Sequence, residues 1–190
     1  PVGRRAIDAG FAAIDDDGME LSCLADSLDG IALLAQGAER RTAPTGTPLH
    51  VLIEIGFDGG RTGTRSRAEA LAVARAAGAP PGLQLAGFEC FEGLQPTPAA
   101  ADRFLDEVIA VAQLAGAEGL FAAARPMVLS AGGSAFFDRV GERLNAAAFR
   151  RPVVKVLRSG CYLTHDSVAY AAAFRRILGE TSLALPEGGL

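Results

Sequence analysis

Two short stretches of the sequence combine glycine with small and hydroxyl-bearing residues, which is the chemistry of a turn that binds an anion. SAGGS (130–134) and RSGCY (158–162) each follow or end an apolar run. Gly132 and Gly133 let backbone N–H groups approach a ligand closely, Ser134 adds a hydroxyl, and the N-terminus of the following helix favours negative charge. These properties suit a phosphate. The alternative is a tight strand-to-helix turn in which Ser134 is only the N-cap.

A third glycine-rich stretch surrounds a single fixed cation. GFDGGRTG (56–63) places glycines on both sides of Arg61, whose guanidinium can hold an anion or a phenolate oxygen. A nucleotide-binding glycine loop is the alternative. Neither this stretch nor SAGGS has the GKS or GKT sequence of a Walker loop or the GxGxxG pattern of a dinucleotide site, so we favour the anion-binding interpretation.

Five short apolar runs alternate with amphipathic helical patterns, and these elements must position the three stretches. The predicted strands are ELSCLAD (20–26), LHVLIEIGF (49–57), LQLAGFECF (83–91), PMVLSAG (126–132) and PVVKVLRSG (152–160). Helices are predicted over residues 27–39, 66–78, 98–120, 134–147 and 166–179. The alternation predicts an α/β fold with a parallel sheet and right-handed crossovers.

The glycine stretches lie at the carboxyl ends of the predicted strands, which is where parallel sheets and (β/α)8 barrels place their ligands. In such a barrel the usual phosphate site is formed by the loops after strands seven and eight. If SAGGS and RSGCY are those two loops, the five strands are strands four to eight of a partial TIM-type barrel.

The composition and charge of the chain argue against some classes of binding partner. The chain carries a formal net charge of −4, with its basic residues scattered along it, which argues against nucleic acid and anionic membranes. No apolar run has the length of a membrane span, and the first residues lack a signal-peptide pattern, so we expect a cytoplasmic protein that binds small molecules. Cys23, Cys90 and Cys161 form no CxxC pair, and we expect free thiols rather than disulfides or a zinc site.

Four ordered motifs resemble the fold-type III pyridoxal phosphate enzymes related to alanine racemase. They are VLIEIGFDGGRTG, LQLAGFECFEG, VLSAGGSAFFD and VLRSGCYLTHD, and the resemblance extends over nearly the whole chain. The sequence is most similar to the D-serine dehydratase and D-threonine aldolase group, and within it to bacterial amino acid deaminases. The resemblance implies a pyridoxal phosphate cofactor whose phosphate is clasped by the SxGGS and G-x-Y loops.

Carried over residue by residue, the resemblance implies cofactor contacts at both glycine loops. The implied contacts are Ser130, Gly132, Gly133, Ser134, Gly160, Cys161 and Tyr162. Arg61 would lie by the cofactor oxygen, and it is the catalytic residue that the resemblance places in this chain. No metal ligand is expected among these residues.

Two functional parts of the family fall outside this sequence. The Schiff-base lysine lies on the first barrel strand and the metal-binding side chains lie in a C-terminal β domain, so the resemblance assigns residues 1–190 to the C-terminal part of the barrel domain. Lys155, the only lysine, lies mid-strand, and we expect a structural role for it. Expressed alone, the chain is expected to be inactive and to associate through its unpaired sheet edges.

Four further polar residues have two interpretations each. His50 begins a strand at the end opposite the motifs, which favours a surface or core role over catalysis. His165 and Asp166 are either a pair behind the phosphate loop or the cap of the next helix. Glu92, at a strand end, is either a solvated side chain or a substrate contact.

The implied enzyme is a homodimeric pyridoxal-phosphate-dependent lyase that converts a D-serine-like amino acid to a keto acid and ammonia. The same loops would serve a D-threonine aldolase, which breaks the Cα–Cβ bond by retro-aldol cleavage. The resemblance also implies that a full-length enzyme would have room for a divalent metal, on ligands outside this chain. The alternative of another class is a non-catalytic pyridoxal phosphate-binding protein or an inactive barrel fragment, since the chain has the phosphate loops without a suitably placed lysine.

Overall fold

The computed structural model describes residues 3–42, 46–160 and 167–180, in which six helices alternate with five strands. The helices are α1 (Arg4–Asp17), α2 (Leu28–Glu39), α3 (Arg67–Ala77), α4 (Pro98–Ala117), α5 (Phe137–Ala146) and α6 (Ser167–Glu180). The strands are β1 (Ser22–Ala25), β2 (Leu49–Ile55), β3 (Leu83–Cys90), β4 (Met127–Gly132) and β5 (Val153–Arg158). This alternation confirms the α/β fold and the five strands expected from the sequence.

All five strands run parallel in one sheet, in the order β1-β2-β3-β4-β5. Each strand therefore pairs with its neighbours along the chain, and the strand order does not reverse as it would in a doubly wound sheet. This winding is that of a (β/α)8 barrel, in which the helices form an outer layer. The sheet is not closed within the described residues, and it is consistent with part of such a barrel.

Alternating strand residues divide the sheet into a helix-facing side and an inner side. Ile53, Phe88 and Leu129 are buried with helix residues in the hydrophobic core. Glu54 and Glu89, each next in sequence to one of these core residues, are Cα partners across β2 and β3 and lie on the inner side. The inner side therefore carries charge near the carboxyl ends of the strands.

Side-chain caps begin three helices close to their predicted positions. Ser27, Ser66 and Thr97 accept hydrogen bonds from the backbone N–H three residues later, at 3.2, 3.1 and 3.2 Å. Each cap satisfies one of the N–H groups that a helix leaves without an internal partner. The caps explain why α2, α3 and α4 begin within one residue of the predicted bounds.

Helix α5 begins later than the sequence pattern predicts. Its first residue is Phe137 and its N-cap position is Phe136, so the interpretation of Ser134 as the N-cap is wrong. Arg176 of α6 donates to the Ala135 carbonyl at 2.8 Å and pairs with a buried Asp138 carboxylate. These contacts hold the residues before Phe137 in a turn, which lies between the strand end and the helix.

Helix α1 is not among the helices predicted from the sequence. Its buried residues Ile7, Phe11 and Ile14 recur at intervals of four and three, which is the spacing of one helix face. Ile7 and Phe11 lie against Gly37 of α2, where a Cβ would be 3.0 Å from the Phe11 ring. The periodicity that identifies α1 was therefore present in the sequence.

Within the described ranges, no helix combines the length and the apolar character needed to cross a membrane.

Gly87 marks a close approach of β3 to β4. A Cβ at this position would overlap the Val128 carbonyl oxygen and lie 2.9 Å from the Val128 nitrogen. We predict that Gly87→Ala lowers the free energy of unfolding by about 3 kcal/mol or more, because the extra methyl group forces the strands apart. Urea unfolding of the protein that carries this chain measures the loss.

Gly116→Ala is the matched control for that substitution. It adds a methyl group in α4 whose nearest neighbour, Arg151 Cδ, is 3.9 Å away, so we expect unchanged stability or a gain of up to about 1 kcal/mol. A Gly87→Ala protein as stable as its parent would contradict the close strand approach.

Candidate functional site

An open cleft lies at the carboxyl ends of the strands, on the inner side of the sheet. Its volume is about 360 Å³, within the range of about 300–1,000 Å³ that is typical of small-molecule sites. The polar and glycine residues that line it are Glu54, Gly56, Arg61, Thr62, Glu89, Gly132 and Arg158. The cleft thus brings together parts of all three glycine-containing stretches.

The SAGGS turn and residues 158–160 of the RSGCY stretch lie side by side at the ends of neighbouring strands. Gly132 is the Cα partner of Arg158 across β4 and β5, and the Ser159 hydroxyl donates to the Gly133 carbonyl at 3.4 Å. A Cβ at Gly133 would lie 2.8 Å from the Arg158 carbonyl oxygen, so the two loops pack too closely for a side chain at this position. Among the described residues, none comes within 4 Å of a Cβ added at Gly160.

Four of the residues considered in the sequence lie beyond this point. Cys161, Tyr162, His165 and Asp166 fall outside the described residues. The implied contacts of Cys161 and Tyr162 with a cofactor stay predictions.

The Gly132 amide already has a partner, the carboxyl group of Glu92. Glu92 follows β3, is completely buried, and accepts the Gly132 N–H through Oε2 at 2.9 Å. The interpretation of Glu92 as a solvated side chain is therefore wrong. Burial raises the pKa of Glu92, although hydrogen bonds from its own backbone N–H and from that of Gly132, with the charge of Arg158, oppose the shift.

Two serine hydroxyls and one carboxyl oxygen are buried at this strand end without a hydrogen-bond partner in the described structure. They are Ser130 Oγ, Ser134 Oγ and Glu92 Oε1. Buried polar atoms almost always have partners, so each one needs an explanation. An anion bound at the SAGGS loop would supply acceptors for the two hydroxyl groups.

Arg61 lies in the cleft wall together with Gly132 and Arg158. Its guanidinium carbon is 5.4 Å from the centroid of the Phe91 ring, in a cation–π contact. Such a contact orients the guanidinium without neutralising its charge. The loop therefore presents a cation next to the SAGGS turn.

The glycines around Arg61 have a structural purpose that the sequence did not reveal. Arg65 donates to the carbonyls of Thr62 at 2.6 Å, Gly63 at 3.0 Å and Gly60 at 3.3 Å. A Cβ at Gly56 would overlap the Arg65 guanidinium. Gly56 is thus needed for the loop to fold around Arg65, and Gly59 and Gly63 have positive φ angles that favour glycine. The glycines are therefore not by themselves evidence for a ligand at Arg61.

An ion pair on the inner side of the sheet was not identified from the sequence. Arg158 pairs with the carboxylate of Glu89, which is 2% exposed, and also donates to the Cys90 carbonyl at 2.8 Å. Burial raises the pKa of Glu89 to about 7, against the opposing effect of Arg158 and with smaller upward contributions from Glu54 and Glu92. The sequence did contain a signal for this ion pair, since a charged residue lies within each of the apolar runs of β3 and β5.

Lys155 and His50 lie away from the cleft. Lys155 is exposed and is the Cα partner of the core residue Leu129, so it extends on the helix-facing side of β5. His50 is buried near the start of β2 in a separate cavity of about 250 Å³, and its pKa is lowered by burial and by Arg125. Both positions agree with roles outside the strand-end site.

The two described cysteines are free thiols, as expected. Burial raises the pKa of Cys23 to about 11 and that of Cys90 further, which keeps both sulfurs protonated. Among the described residues there is no group of three or more side chains that could hold a metal ion.

The sequence matches no protein-family model and no curated protein sequence. Solved structures are similar in fold. A D-threonine aldolase from Filomicrobium marinum matches with a TM-score of 0.63 and 21% identity over 90% of this chain. A D-threo-3-hydroxyaspartate dehydratase from Delftia sp. HT23 matches with a TM-score of 0.56 and 23% identity over 92%. A lysine/ornithine decarboxylase from Vibrio vulnificus matches with a TM-score of 0.55 and 16% identity over 79%.

The chain spans 43%, 42% and 41% of the lengths of these three proteins, in the order given. At these identities the likeness shows the fold alone. The chain therefore has the fold of the fold-type III pyridoxal phosphate enzymes that its four sequence motifs resemble.

Proposed function

We propose that this chain supplies strands four to eight of a pyridoxal phosphate-binding barrel in an enzyme that acts on D-amino acids. The observation that carries the proposal is the meeting of the SAGGS turn with residues 158–160 at neighbouring strand ends, beside a cleft that contains two arginines. Two structures of similar fold are named for reactions of D-amino acids, which supports this substrate class.

The residues present fit the phosphate group of the cofactor. Ser134 has a buried hydroxyl without a partner among the described residues, and the Gly133 and Gly160 amides lie on adjacent loops. A phosphate dianion between these groups would gain charge-assisted hydrogen bonds. The Gly132 amide would be shared with Glu92, because that carboxyl group already accepts its N–H.

Arg61 and Arg158 would orient the rest of the cofactor and its substrate. Both arginines line the cleft, and a guanidinium presents planar, paired N–H donors that match phosphate and carboxylate groups. Arg61 would hold the phenolate oxygen, while Glu89 fixes the position of Arg158. When bound, pyridoxal phosphate supplies an electron sink for negative charge at the α-carbon of an amino acid.

The reaction that we favour is loss of ammonia from a D-serine-like substrate, which yields a keto acid. A retro-aldol cleavage of a D-threonine-like substrate is the second candidate, and the aldolase structure of similar fold favours it. Incubation of the protein that carries this chain with D-serine and with D-threonine separates the two. Keto acid and ammonia support the first reaction, and glycine with an aldehyde supports the second.

A non-catalytic pyridoxal phosphate-binding protein is the candidate from another class. The position of Lys155 on the helix-facing side of β5 favours it, because this chain offers no lysine to the cleft. Absence of turnover with both amino acids, together with tight cofactor binding, would support this candidate. The homodimer and the cytoplasmic location stay predictions.

Ser134→Ala tests the phosphate loop directly. We predict about a tenfold or greater loss of affinity for pyridoxal phosphate, because one hydrogen bond to a charged group is lost, and little change in affinity for pyridoxal, which has no phosphate. Absorbance titration measures both. Ser22→Ala, at the opposite end of the sheet, is the control and should leave both affinities unchanged. An equal loss of affinity for pyridoxal phosphate and for pyridoxal would show that Ser134 does not contact the phosphate.

Arg61→Ala is predicted to lower turnover about tenfold or more while the fold stays intact, because a cation beside the cofactor oxygen is removed. Steady-state kinetics and circular dichroism measure the two effects. Arg67→Ala is the matched control, because Arg67 pairs with Glu107 on the protein surface and its loss should leave turnover unchanged. Unchanged turnover of the Arg61→Ala protein would refute the assigned role.

Lys155 is predicted to form no stoichiometric covalent adduct with pyridoxal phosphate. Its side chain lies on the side of the sheet opposite the cleft, and borohydride reduction followed by peptide mass analysis locates any adduct. The Lys155→Arg protein should give the same result as its parent. A full-occupancy adduct on Lys155 would show that the cofactor binds on the helix-facing side.

A further inference from the structure

The Glu92 carboxyl group is built into the SAGGS turn. Its Oε2 accepts the Gly132 N–H at 2.9 Å, and a Cβ at position 132 would lie 2.9 Å from Oε2 and 3.0 Å from Oε1. Glycine is therefore required at this position for the carboxyl group to approach. Because Gly132 also lines the cleft, Glu92 lies directly behind the surface on which an anion would bind.

The carboxyl group has a hydrogen-bonding capacity that the protein does not use. Glu92 is completely buried, and Oε1 has no hydrogen-bond partner within the described structure. An ionised carboxylate with an unpartnered oxygen in this position is costly, whereas a neutral carboxylic acid offers an O–H that can donate. The buried site therefore favours the neutral form of Glu92 more than water does.

We propose that Glu92 controls the affinity of the SAGGS turn for a dianion: its neutral form permits binding, and its ionised form opposes it. The proposal rests on the proposed function, since it concerns the same phosphate loop. Two like charges on either side of one glycine repel strongly in a partly buried site. A bound dianion must in turn favour protonation of Glu92, because the two equilibria are linked.

Other charged groups face the same region and have to be separated from Glu92. Arg158 on β5 attracts both Glu92 and an anion, and Glu89 on β3 neutralises Arg158. Arg61 contacts Phe91, the residue before Glu92. Cys90 is buried with a raised pKa, so it stays neutral. Glu89 and Glu54, which both line the cleft, are thus the carboxyl groups besides Glu92 whose negative charge would oppose an anion there.

The expected direction follows from the burial of Glu92. Because its pKa is raised, Glu92 stays neutral up to a higher pH than an exposed glutamate does. Anion affinity should be greatest below the pKa of Glu92 in the folded protein and should fall as the pH rises through it. The pKa of Glu89, about 7, gives the same direction, so variants at both positions are needed.

Sulfate is the probe, because it remains a dianion from about pH 5 to about pH 9 and its own charge does not change. Calorimetry on the protein that carries this chain, without cofactor, measures its dissociation constant across this range. We expect the affinity of the parent protein to fall about tenfold or more as the pH rises. The Glu92→Gln protein should lose most of this pH dependence, with Glu89 supplying the remainder, and Glu89→Gln should retain most of the dependence of the parent.

A second measurement does not depend on the folding of a variant. Carbon-13 NMR of the Glu92 carboxyl group in the parent protein gives its pKa with and without sulfate, and we expect sulfate to raise it. An unchanged pKa overturns the proposal. So does a pH-independent sulfate affinity of the parent, or a dependence that Glu89→Gln removes and Glu92→Gln keeps. If sulfate binds in those cases, the SAGGS turn remains an anion site and only the role of Glu92 is refuted. If sulfate binds at no pH, both the anion site and the role of Glu92 are refuted.

Discussion

The contact between β3 and β4 allows no side chain at two points, and the site depends on both. At Gly87 the backbone of β4 occupies the space of a Cβ, and at Gly132 the Glu92 carboxyl group does so. Between them the register places Glu89 opposite Ser130. Because both contacts are made by backbone or by a fully buried group, neither strand can shift without losing them. The positions of Glu89, Ser130 and Glu92 relative to one another follow from this constraint.

Charge on the inner side of the sheet is arranged around this constraint. Two carboxylates, Glu54 and Glu89, are Cα partners on neighbouring strands, and their mutual repulsion is offset by Arg158 from the edge strand β5. A buried carboxylate without such a partner would be strongly destabilising. Arg158 in turn remains partly exposed, with 42% of its side chain accessible. The ion pair thus fixes a guanidinium at the cleft while leaving part of it open to a ligand.

Sequence reasoning reached the features that depend on local pattern. The five strands, the parallel sheet and the position of the glycine loops at strand ends follow from apolar runs and their spacing, and the capping residues Ser27, Ser66 and Thr97 fixed three helix starts. The apolar spacing in α1 was equally visible. The start of α5 was not, because it depends on contacts between Arg176 and the turn before Phe137.

The chemistry of the site was harder to obtain from the sequence because its contacts are distant in the chain. Glu92 and Gly132 are 40 residues apart, and Glu89 and Arg158 are 69 apart. No periodicity reports which strand-end carboxylate faces which loop. The glycines near Arg61 pointed to a ligand when considered alone, and only the folded loop reveals that the position of Arg65 requires Gly56.

The unpaired edges of the sheet restrict what can extend it within the same architecture. Both β1 and β5 lie at an edge of an all-parallel sheet in the described residues. A strand that continues the barrel on either side must run in the same direction, and parallel neighbours cannot be joined by a tight turn. They need a crossover of a dozen or more residues, most often a helix. Helix α1 precedes β1 and helix α6 follows β5, so the crossover helix for the first strand added at either edge is already present, and each strand beyond that one has to bring a further helix of the outer layer with it.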